Sequence, residues 1–227
     1  MDILHSSKSD LTLQAGECYY HEEKKGEVMT IIDRAKSMIL NPRLTWQTIK
    51  SESTDIKQLI LNYAAPLALI PPVSSFIGLT LFGIRLPTGH MLRPPLAETL
   101  AITFLSYLVS ILAVFSVGLI INLLAPYFSS KADFIQSMKL AVYSATPVWL
   151  AGIFSLLPGL GVLAILGLYG IYLLVLGLPE LLETPPDKIL WYTVSIILVT
   201  IIVNFLLSAI LVGPIFGPMY MRMMAVN

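Results

Sequence analysis

The sequence has very little charge outside its N-terminal quarter. It contains 14 Lys and Arg and 14 Asp and Glu among 227 residues, yet the 170 residues that follow position 57 carry only 11 of these charges. A soluble domain has charged side chains at about 25% of its positions. With 56% hydrophobic residues in the whole chain, this shortage of charge excludes a water-soluble globular protein and places most of the chain in lipid.

Net charge and cysteine are also lacking. The formal net charge is zero and no basic stripe with interleaved aromatic residues occurs, so the sequence predicts no nucleic-acid partner. A single cysteine, Cys18, excludes an internal disulfide. Cys18 and His21 lack the second pair of ligands that a zinc site needs, so the sequence predicts no metal site there.

The common catalytic motifs are missing. The sequence contains no HExxH, no phosphate-binding glycine loop and no serine in a nucleophile elbow. Glu180 and Glu183 are one helical turn apart and can be imagined as an acid/base or cation-binding pair, but carboxylates at a wet helix end need no partner. His90, in an outer loop, has no nucleophile near it in sequence. The sequence therefore predicts neither an enzyme nor a bound cofactor.

Residues 1–28 form a polar tail with neither the apolar core nor the cleavage site of a secretory signal. We expect this tail to be disordered, or to be an extension of the gene product if translation begins at Met29. A peptide spanning residues 27–33, found by mass spectrometry of the native protein, would exclude the second alternative.

A short amphipathic segment follows at residues 29–56. Apolar residues such as Ile32 and Ile39 recur at steps of three and four, which predicts a helix too short to cross a bilayer. The Asn41-Pro42 pair ends it, because the residue before proline is driven from the helical region. A second helix is expected to begin there, with Asn41 as its cap and Pro42 in its first turn.

The first of these helices has two possible positions: flat on the membrane surface, or packed on the protein's own cytoplasmic face. Trp46, flanked by Arg43 and Lys50, suits the lipid headgroup layer. The candidate interfacial or partner-binding residues are Ile32, Ile39, Asn41, Pro42 and Trp46.

Beyond Lys57, four long uncharged stretches are each longer than one membrane crossing, and the third can hold two helices joined at LPGLG, residues 157–161. Pro71-Pro72 and Pro147 are expected to kink the spans that contain them. The sequence thus predicts an all-α, polytopic bundle at 57–220 with a short tail at 221–227. The five predicted transmembrane helices are 58–83, 99–124, 136–157, 160–181 and 189–212.

The distribution of Lys and Arg predicts the orientation. With the N-terminus inside, eleven of these residues lie on the cytoplasmic side, including Lys139 between the second and third spans, and three lie outside. The positive-inside rule therefore predicts a cytoplasmic N-terminus and an external C-terminus.

Few polar groups fall within the spans, and no ionised side chain falls in the middle of one, which disfavours a proton-coupled transporter. Three asparagines, Asn62, Asn122 and Asn204, can either line a polar path or bond between helices. Small residues indicate close helix contacts or, alternatively, a substrate groove. They are Ser106, Ser110 and Ala113 in the second span and Gly167, Gly170 and Gly177 in the fourth.

Three stretches, at 29–52, 63–78 and above all YGIYLLVLGLPELLETPPDKILWYT at 169–193, resemble the bacterial branch of the Yip1 domain family. The resemblance implies a cytosolic N-terminal segment and five membrane helices. Eukaryotic members associate with Rab-type GTPases, but the short N-terminal region here implies no such partner. The family-motif and helix-packing residues are Tyr169, Gly170, Tyr172, Gly177, Pro179 and Pro185.

Two functions of different classes remain open from the sequence. The first is a non-enzymatic inner-membrane protein that organises membrane or recruits partners through its amphipathic segment, with lipid, a membrane protein or a second copy of the chain as its partner. The second is a small transporter, channel or lipid-translocating protein, suggested by the proline-broken first span and the three asparagines.

Overall fold

The computed structural model describes residues 30–85, 91–157 and 160–211. Two short helices, α1 (Ile31–Leu40) and α2 (Pro42–Ser51), precede five long ones. The only strands in the described ranges form a two-residue antiparallel pair, β1 (Ile84–Arg85) with β2 (Met91–Leu92). The long helices are α3 (Ile56–Leu81), α4 (Leu96–Phe128), α5 (Phe134–Leu156), α6 (Ile165–Leu182) and α7 (Ile189–Leu211).

All five long helices are apolar and long enough to cross a membrane. The prediction of an all-α bundle with five transmembrane helices is therefore confirmed, and each observed helix lies within about five residues of its predicted limits. The β1–β2 pair was not predicted and closes the connection between α3 and α4. The chain divides by packing into Met1–Arg34 and Ala35–Asn227, and the bundle contacts described below lie within the second unit.

Several predictions fall outside the described residues. They concern the tail at 1–28 with Cys18 and His21, a start at Met29, the loop histidine His90 and the C-terminal tail. Among the described residues, no group of three metal-ligating side chains comes together.

Local chemistry explains where α1 and α2 begin. The Thr30 hydroxyl accepts from the Asp33 amide at 3.2 Å, which caps the first turn of α1, and it donates to the Asp33 carboxylate at 2.5 Å. Asn41 occupies the N-cap position of α2 and Pro42 its first turn, as predicted, although the Asn41 side chain makes no capping hydrogen bond. Pro42 in the first turn has no amide hydrogen to satisfy, which reduces the need for a cap.

In α3 and α5 the prolines lie at breaks in the helix, and both helices still have the length of a membrane span. In α3 a π-helical turn at Ile60–Ala64 precedes Pro66, and Pro71-Pro72 fall in the first turn of its last segment, Ile70–Leu81. In α5 the break lies at Ala145, just before Pro147. At each break the chain begins a new helical segment, where a proline has no hydrogen bond to remove.

Glycines allow the C-terminal ends of α3 and α5 to cross closely. A Cβ on Gly78 would lie 2.7 Å from the Ser155 carbonyl oxygen, and one on Gly152 would overlap the Pro71 ring. These contacts bring backbone against backbone, which is how helices in lipid gain packing energy.

The connections after α4 and α6 are joined to each other. Both helices end in a left-handed residue, Ser129 and Glu183 respectively. The Lys131 amide donates to the Leu182 carbonyl at 2.8 Å, and the Lys188 ammonium donates to the Ser129 hydroxyl at 2.7 Å. These bonds hold the two loops together at the same end of the bundle as α1 and α2.

Glu183 lies 3.8 Å from the Lys131 ammonium, and both side chains are more than half exposed. Because Glu183 is the left-handed residue after α6, it does not share a helical face with Glu180. We expect the exposed ion pair of Glu183 with Lys131 to add little stability.

Candidate functional site: the docking of α1 and α2

Trp46 of α2 is buried within the protein. Its side chain is 1% exposed and meets the Tyr143 ring of α5 edge to face at a centroid distance of 6.3 Å. Gly177 of α6 lies directly against it: a Cβ there would be 2.9 Å from Trp46 Cε2 and would overlap Leu140. The prediction that Trp46 lies in the headgroup layer is therefore wrong.

Trp46 is buried because a residue far along the chain makes room for it. An indole is favourable in the headgroup layer, but it is also favourable in a close-fitting apolar pocket. The absence of a side chain at Gly177 creates that pocket, 131 positions further along the chain. In the structure α2 therefore packs on the bundle itself, an arrangement that the sequence suggested only for the first short helix.

Lys139 is the most unusual charge in the described structure. It lies in the first third of α5 and is 1% exposed. Its ammonium donates to the carbonyl oxygens of Ile49 at 2.8 Å and Glu52 at 2.5 Å. Carbonyls at the end of a helix lack intrahelical partners and form the negative end of its dipole, so they suit a buried cation.

This position corrects a second prediction. Lys139 was counted with the loop between the second and third spans, but it belongs to α5 and is enclosed by protein. Removing it from the cytoplasmic total leaves ten Lys and Arg against three, so the predicted direction of insertion is unchanged.

Hydroxyl groups bind the end of α1 in a similar way. The Tyr169 hydroxyl of α6 donates to the Ile39 carbonyl at 2.9 Å. The Thr45 hydroxyl of α2 lies within hydrogen-bonding distance of the Ser37 and Asn41 carbonyls, at 3.0 and 2.8 Å. Side chains from two transmembrane helices, Lys139 and Tyr169, thus occupy carbonyls at the ends of both short helices.

The docking contacts continue into the bundle through a row of aromatic rings. Tyr143, which touches Trp46, also lies 4.7 Å from the Tyr63 ring of α3. The Tyr63 and Thr146 hydroxyls are 2.9 Å apart and buried. This row connects α2, α5 and α3.

The opposite side of the short helices carries exposed leucines. Leu40 at the end of α1 is 63% exposed, and Leu44 in α2 is 67% exposed. Arg43 and Lys50 are exposed on α2 as well. Of the remaining candidates, Ile32 is 77% exposed, whereas Ile39 and Pro42 are half-buried.

The residues of the 169–193 stretch serve several structural purposes. Tyr169 and Gly177 contact α1 and α2 as described, and the exposed Tyr172 ring lies 5.3 Å from the Tyr169 ring. A Cβ on Gly170 would lie 2.5 Å from the Ser144 carbonyl oxygen of α5. Pro179 lies inside α6, and Pro185 accepts a hydrogen bond from the Lys188 amide in the loop that follows.

Comparison with known proteins agrees with this geometry. The family model for the Yip1 domain matches residues 36–208. This chain belongs to the Yip1 domain family. It is 28% identical over 176 residues to the inner membrane protein YohC of Escherichia coli, in strain K12 and in the O6:H1 strain CFT073, and the match covers 76% of this chain and 90% of each relative. No solved structure matches the chain.

The match begins at residue 36 and therefore includes the second half of α1 and the whole of α2. These helices are thus part of the Yip1 domain and continuous with its bundle. Family membership and the five apolar helices make the protein a multi-pass integral membrane protein, and the name of the E. coli relative supports the inner membrane.

Within the Yip1 domain the three asparagines have different surroundings. Asn62 is exposed on α3, and the Asn204 amide of α7 donates to the Thr200 carbonyl of its own helix at 2.9 Å. The Asn122 Oδ1 atom is buried and has no hydrogen-bond partner among the described residues.

A cavity of about 370 Å³ lies between α4, α5, α6 and α7. Four of the six small residues singled out in the sequence line it, whereas none of the asparagines does. Those four are Ser110, Ala113, Gly167 and Gly170. Of the other two, Ser106 is exposed and Gly177 contacts Trp46.

Proposed function

We propose that this protein is a non-enzymatic Yip1-type protein of the inner membrane whose docked helices α1 and α2 form a fixed platform on the cytoplasmic side. The platform organises the adjacent membrane or recruits a partner protein. The observation that supports this role most directly is the buried contact of Lys139 with the end of α2. It fixes a surface segment to a transmembrane helix.

Fixing the segment matters because a rigid surface binds at lower entropic cost than a mobile one. On the platform, Leu40 and Leu44 remain exposed beside the cations Arg43 and Lys50. Apolar side chains next to cations suit the boundary of an anionic membrane, where each cation contributes about 1 kcal/mol. The orientation predicted from Lys and Arg places this surface in the cytoplasm.

The test is a double substitution, Leu40→Asp with Leu44→Asp. Both side chains are largely exposed, so we expect the protein to insert and fold normally. The lipids and proteins associated with the variant, measured by quantitative mass spectrometry of native membranes, should differ from those of the wild-type protein. The variant should also fail to rescue any phenotype of gene deletion. The control is Gln47→Asp. Gln47 is also exposed on α2, and its replacement likewise introduces an aspartate.

An unchanged set of partners and full complementation by the double variant would contradict the platform. Ile32→Asp with Ile39→Asp, at two candidate residues from the sequence, is harder to interpret. Ile39 is half-buried and its carbonyl accepts from Tyr169, so this change would also disturb the packing of α1.

The competing function, transport, receives support from one feature, the cavity between α4 and α7. Since no ionisable side chain lines this cavity, it favours a lipid-soluble cargo over an ion. Flux or lipid-scrambling assays in proteoliposomes, with Ala113→Phe in the cavity lining as the variant, distinguish the two: flux that the variant abolishes would favour transport.

A further inference from the structure

The bend between α1 and α2 carries two exposed leucines, Leu40 and Leu44, and the contacts of this segment with α6 show how deep the bend lies. We propose that the segment is re-entrant: its bend at residues 40–41 dips into the cytoplasmic leaflet, where the two leucines contact acyl chains. This inference rests on the platform proposed above and names lipid hydrocarbon as the partner of its exposed leucines.

Two contacts place the segment along the length of α6. Trp46 meets Gly177, and the Ile39 carbonyl accepts from the Tyr169 hydroxyl. Gly177 and Tyr169 are eight positions apart on α6, which separates them by about 12 Å along its axis. Because a helical side chain leans towards the N-terminus of its helix, the position of the tyrosine hydroxyl does not shorten this separation. Helix α2 therefore packs beside α6 rather than across its end.

Distance along α6 measures depth, because this helix crosses the membrane and a modest tilt changes the distance little. Tyr169 is 13 positions from Leu182, the last residue of α6, which corresponds to about 20 Å. The other end of α2 lies near the start of α5, since Lys139 binds the Ile49 and Glu52 carbonyls. Helix α2 thus runs from the deep bend back to the end of the bundle that is predicted to be cytoplasmic.

An exposed apolar residue shows how far the hydrocarbon extends on this side. The Lys131 amide donates to the Leu182 carbonyl, so the ends of α4 and α6 lie at a similar level. Leu123 is five positions before Phe128, the end of α4, and is largely exposed, so hydrocarbon extends to within about 10 Å of that level. The Ile39 carbonyl, about 20 Å from the same level, is therefore about 10 Å inside the hydrocarbon.

Two carbonyls at the bend receive donors from the protein. In water such groups could bind solvent, whereas in lipid a break in a helix needs donors from neighbouring side chains. The Thr45 hydroxyl lies 3.0 Å from the Ser37 carbonyl, and the Tyr169 hydroxyl donates to the Ile39 carbonyl at 2.9 Å. These hydroxyls supply at the bend what water would supply at the surface.

The cations of α2 are also compatible with this position. Lys50 lies in the last turn of α2, at its cytoplasmic end, and Arg43 lies in the first turn. They are seven positions apart, or about 10 Å along the helix. A long arginine side chain can extend from such a depth towards the lipid phosphates while its stem stays among acyl chains. Helix α2 contains no acidic residue that would compete with the phosphates for these cations.

A depth scan along one stripe of α2 tests the proposal. Leu44, Thr48 and Ser51 are exposed and share a face, because they are spaced by four and three residues. Cys18 is the only cysteine, so after Cys18→Ser a single nitroxide can be attached through Leu44→Cys, Thr48→Cys or Ser51→Cys. Power-saturation EPR in bilayers measures the depth of each label, with oxygen as the apolar relaxant and a nickel chelate as the polar one.

An upright α2 should give a graded depth, with the label at position 44 about 10 Å deeper than the label at position 51. A helix lying flat in the membrane interface would hold all three labels at one depth, because they share a face. A label on Leu40→Cys, at the bend, should contact oxygen strongly and nickel weakly. Phe205→Cys, on the lipid-exposed side of α7, and Lys131→Cys, in an exposed loop, are the lipid and water references.

Equal depths along the stripe, or strong nickel contact at position 40, would overturn the re-entrant segment. A label at position 40 or 44 that is shielded from oxygen and nickel alike would show that a partner protein or a second copy covers the leucines, which would overturn the lipid assignment.

The scan needs neither a partner nor a phenotype, so it can fail separately from the platform. If the labels are shallow but Leu40→Asp with Leu44→Asp changes the associated proteins, the platform stands and the insertion is wrong. A graded depth with unchanged partners and full complementation would support the insertion and contradict the platform.

Discussion

Helices α5 and α7 both cross the membrane, yet they differ in opposite directions in how apolar they are and how deeply they are buried in the protein. The most apolar stretch of α5 has a mean hydropathy of 1.2 and is 56% buried, whereas that of α7 has a mean hydropathy of 2.5 and is 11% buried. In water the more apolar helix would be the more buried. In lipid the less apolar helix lies at the centre, because its polar groups need protein partners and apolar side chains do not.

Lys139 of α5 should give the largest effect on stability. Replacing it by Met keeps the length of the side chain but removes the donor to the Ile49 and Glu52 carbonyls. We expect the free energy of unfolding in detergent to fall by about 3 kcal/mol, since bonds from charged donors are strong and the carbonyls remain buried. Thermal unfolding measures this loss, and hydrogen exchange should show α2 opening more often.

Lys131→Met is the control, because Lys131 is exposed and its ion pair with Glu183 is long. It should change stability by less than about 0.5 kcal/mol. Equal effects of the two lysine variants would show that Lys139 does not hold α2.

Gly177→Ala, where α6 meets α2 and α5, should give the next largest effect. Its new Cβ would overlap Leu140 and lie 2.9 Å from Trp46. We expect a loss of about 2 kcal/mol, typical of overpacking. In Gly167→Ala the Cβ would lie 3.4 Å from Val148, an ordinary contact, so a loss as large as that of Gly177→Ala would refute this explanation.

Tyr169→Phe removes the hydrogen bond to the Ile39 carbonyl and leaves the ring in place. The expected loss is about 0.6 to 1 kcal/mol, as for other hydrogen bonds in membrane proteins. Faster hydrogen exchange should be confined to the last turn of α1. Tyr172→Phe, at the exposed neighbour, should leave exchange in that turn unchanged.

The smallest effect is expected on α7. Phe205 is exposed towards lipid, so Phe205→Leu exchanges one apolar surface for another and should change stability by less than about 0.5 kcal/mol. A loss above 1 kcal/mol in thermal unfolding would show that this face of α7 packs against protein.

The number and limits of the spans could be predicted because shortage of charge and apolar length are local properties. The positions of Trp46 and Lys139 could not, because each depends on residues far along the chain. Trp46 needs the space that Gly177 leaves beside it. Lys139 needs the carbonyls at the end of α2, beginning with that of Ile49. The sequence contained one sign of the Lys139 contact: this lysine lies one turn inside the predicted span 136–157, and a charge there requires a partner.

The three asparagines also show that a local property of the sequence does not identify contacts between helices. They are polar residues within apolar spans and suggest a path, yet Asn204 is satisfied by its own helix. The cavity is instead lined in part by serine and threonine residues. Polarity along one helix does not reveal which residues of different helices meet.

The burial of Trp46 tests the docking of α2 most directly. With Trp149→Phe and Trp191→Phe, Trp46 is the sole indole, and its fluorescence in bilayers can be challenged with aqueous acrylamide and with brominated lipids. A side chain enclosed by Tyr143, Leu140 and Gly177 should be protected from both. Strong quenching by lipids brominated near the headgroup would place Trp46 in the membrane interface and contradict a platform fixed to the bundle.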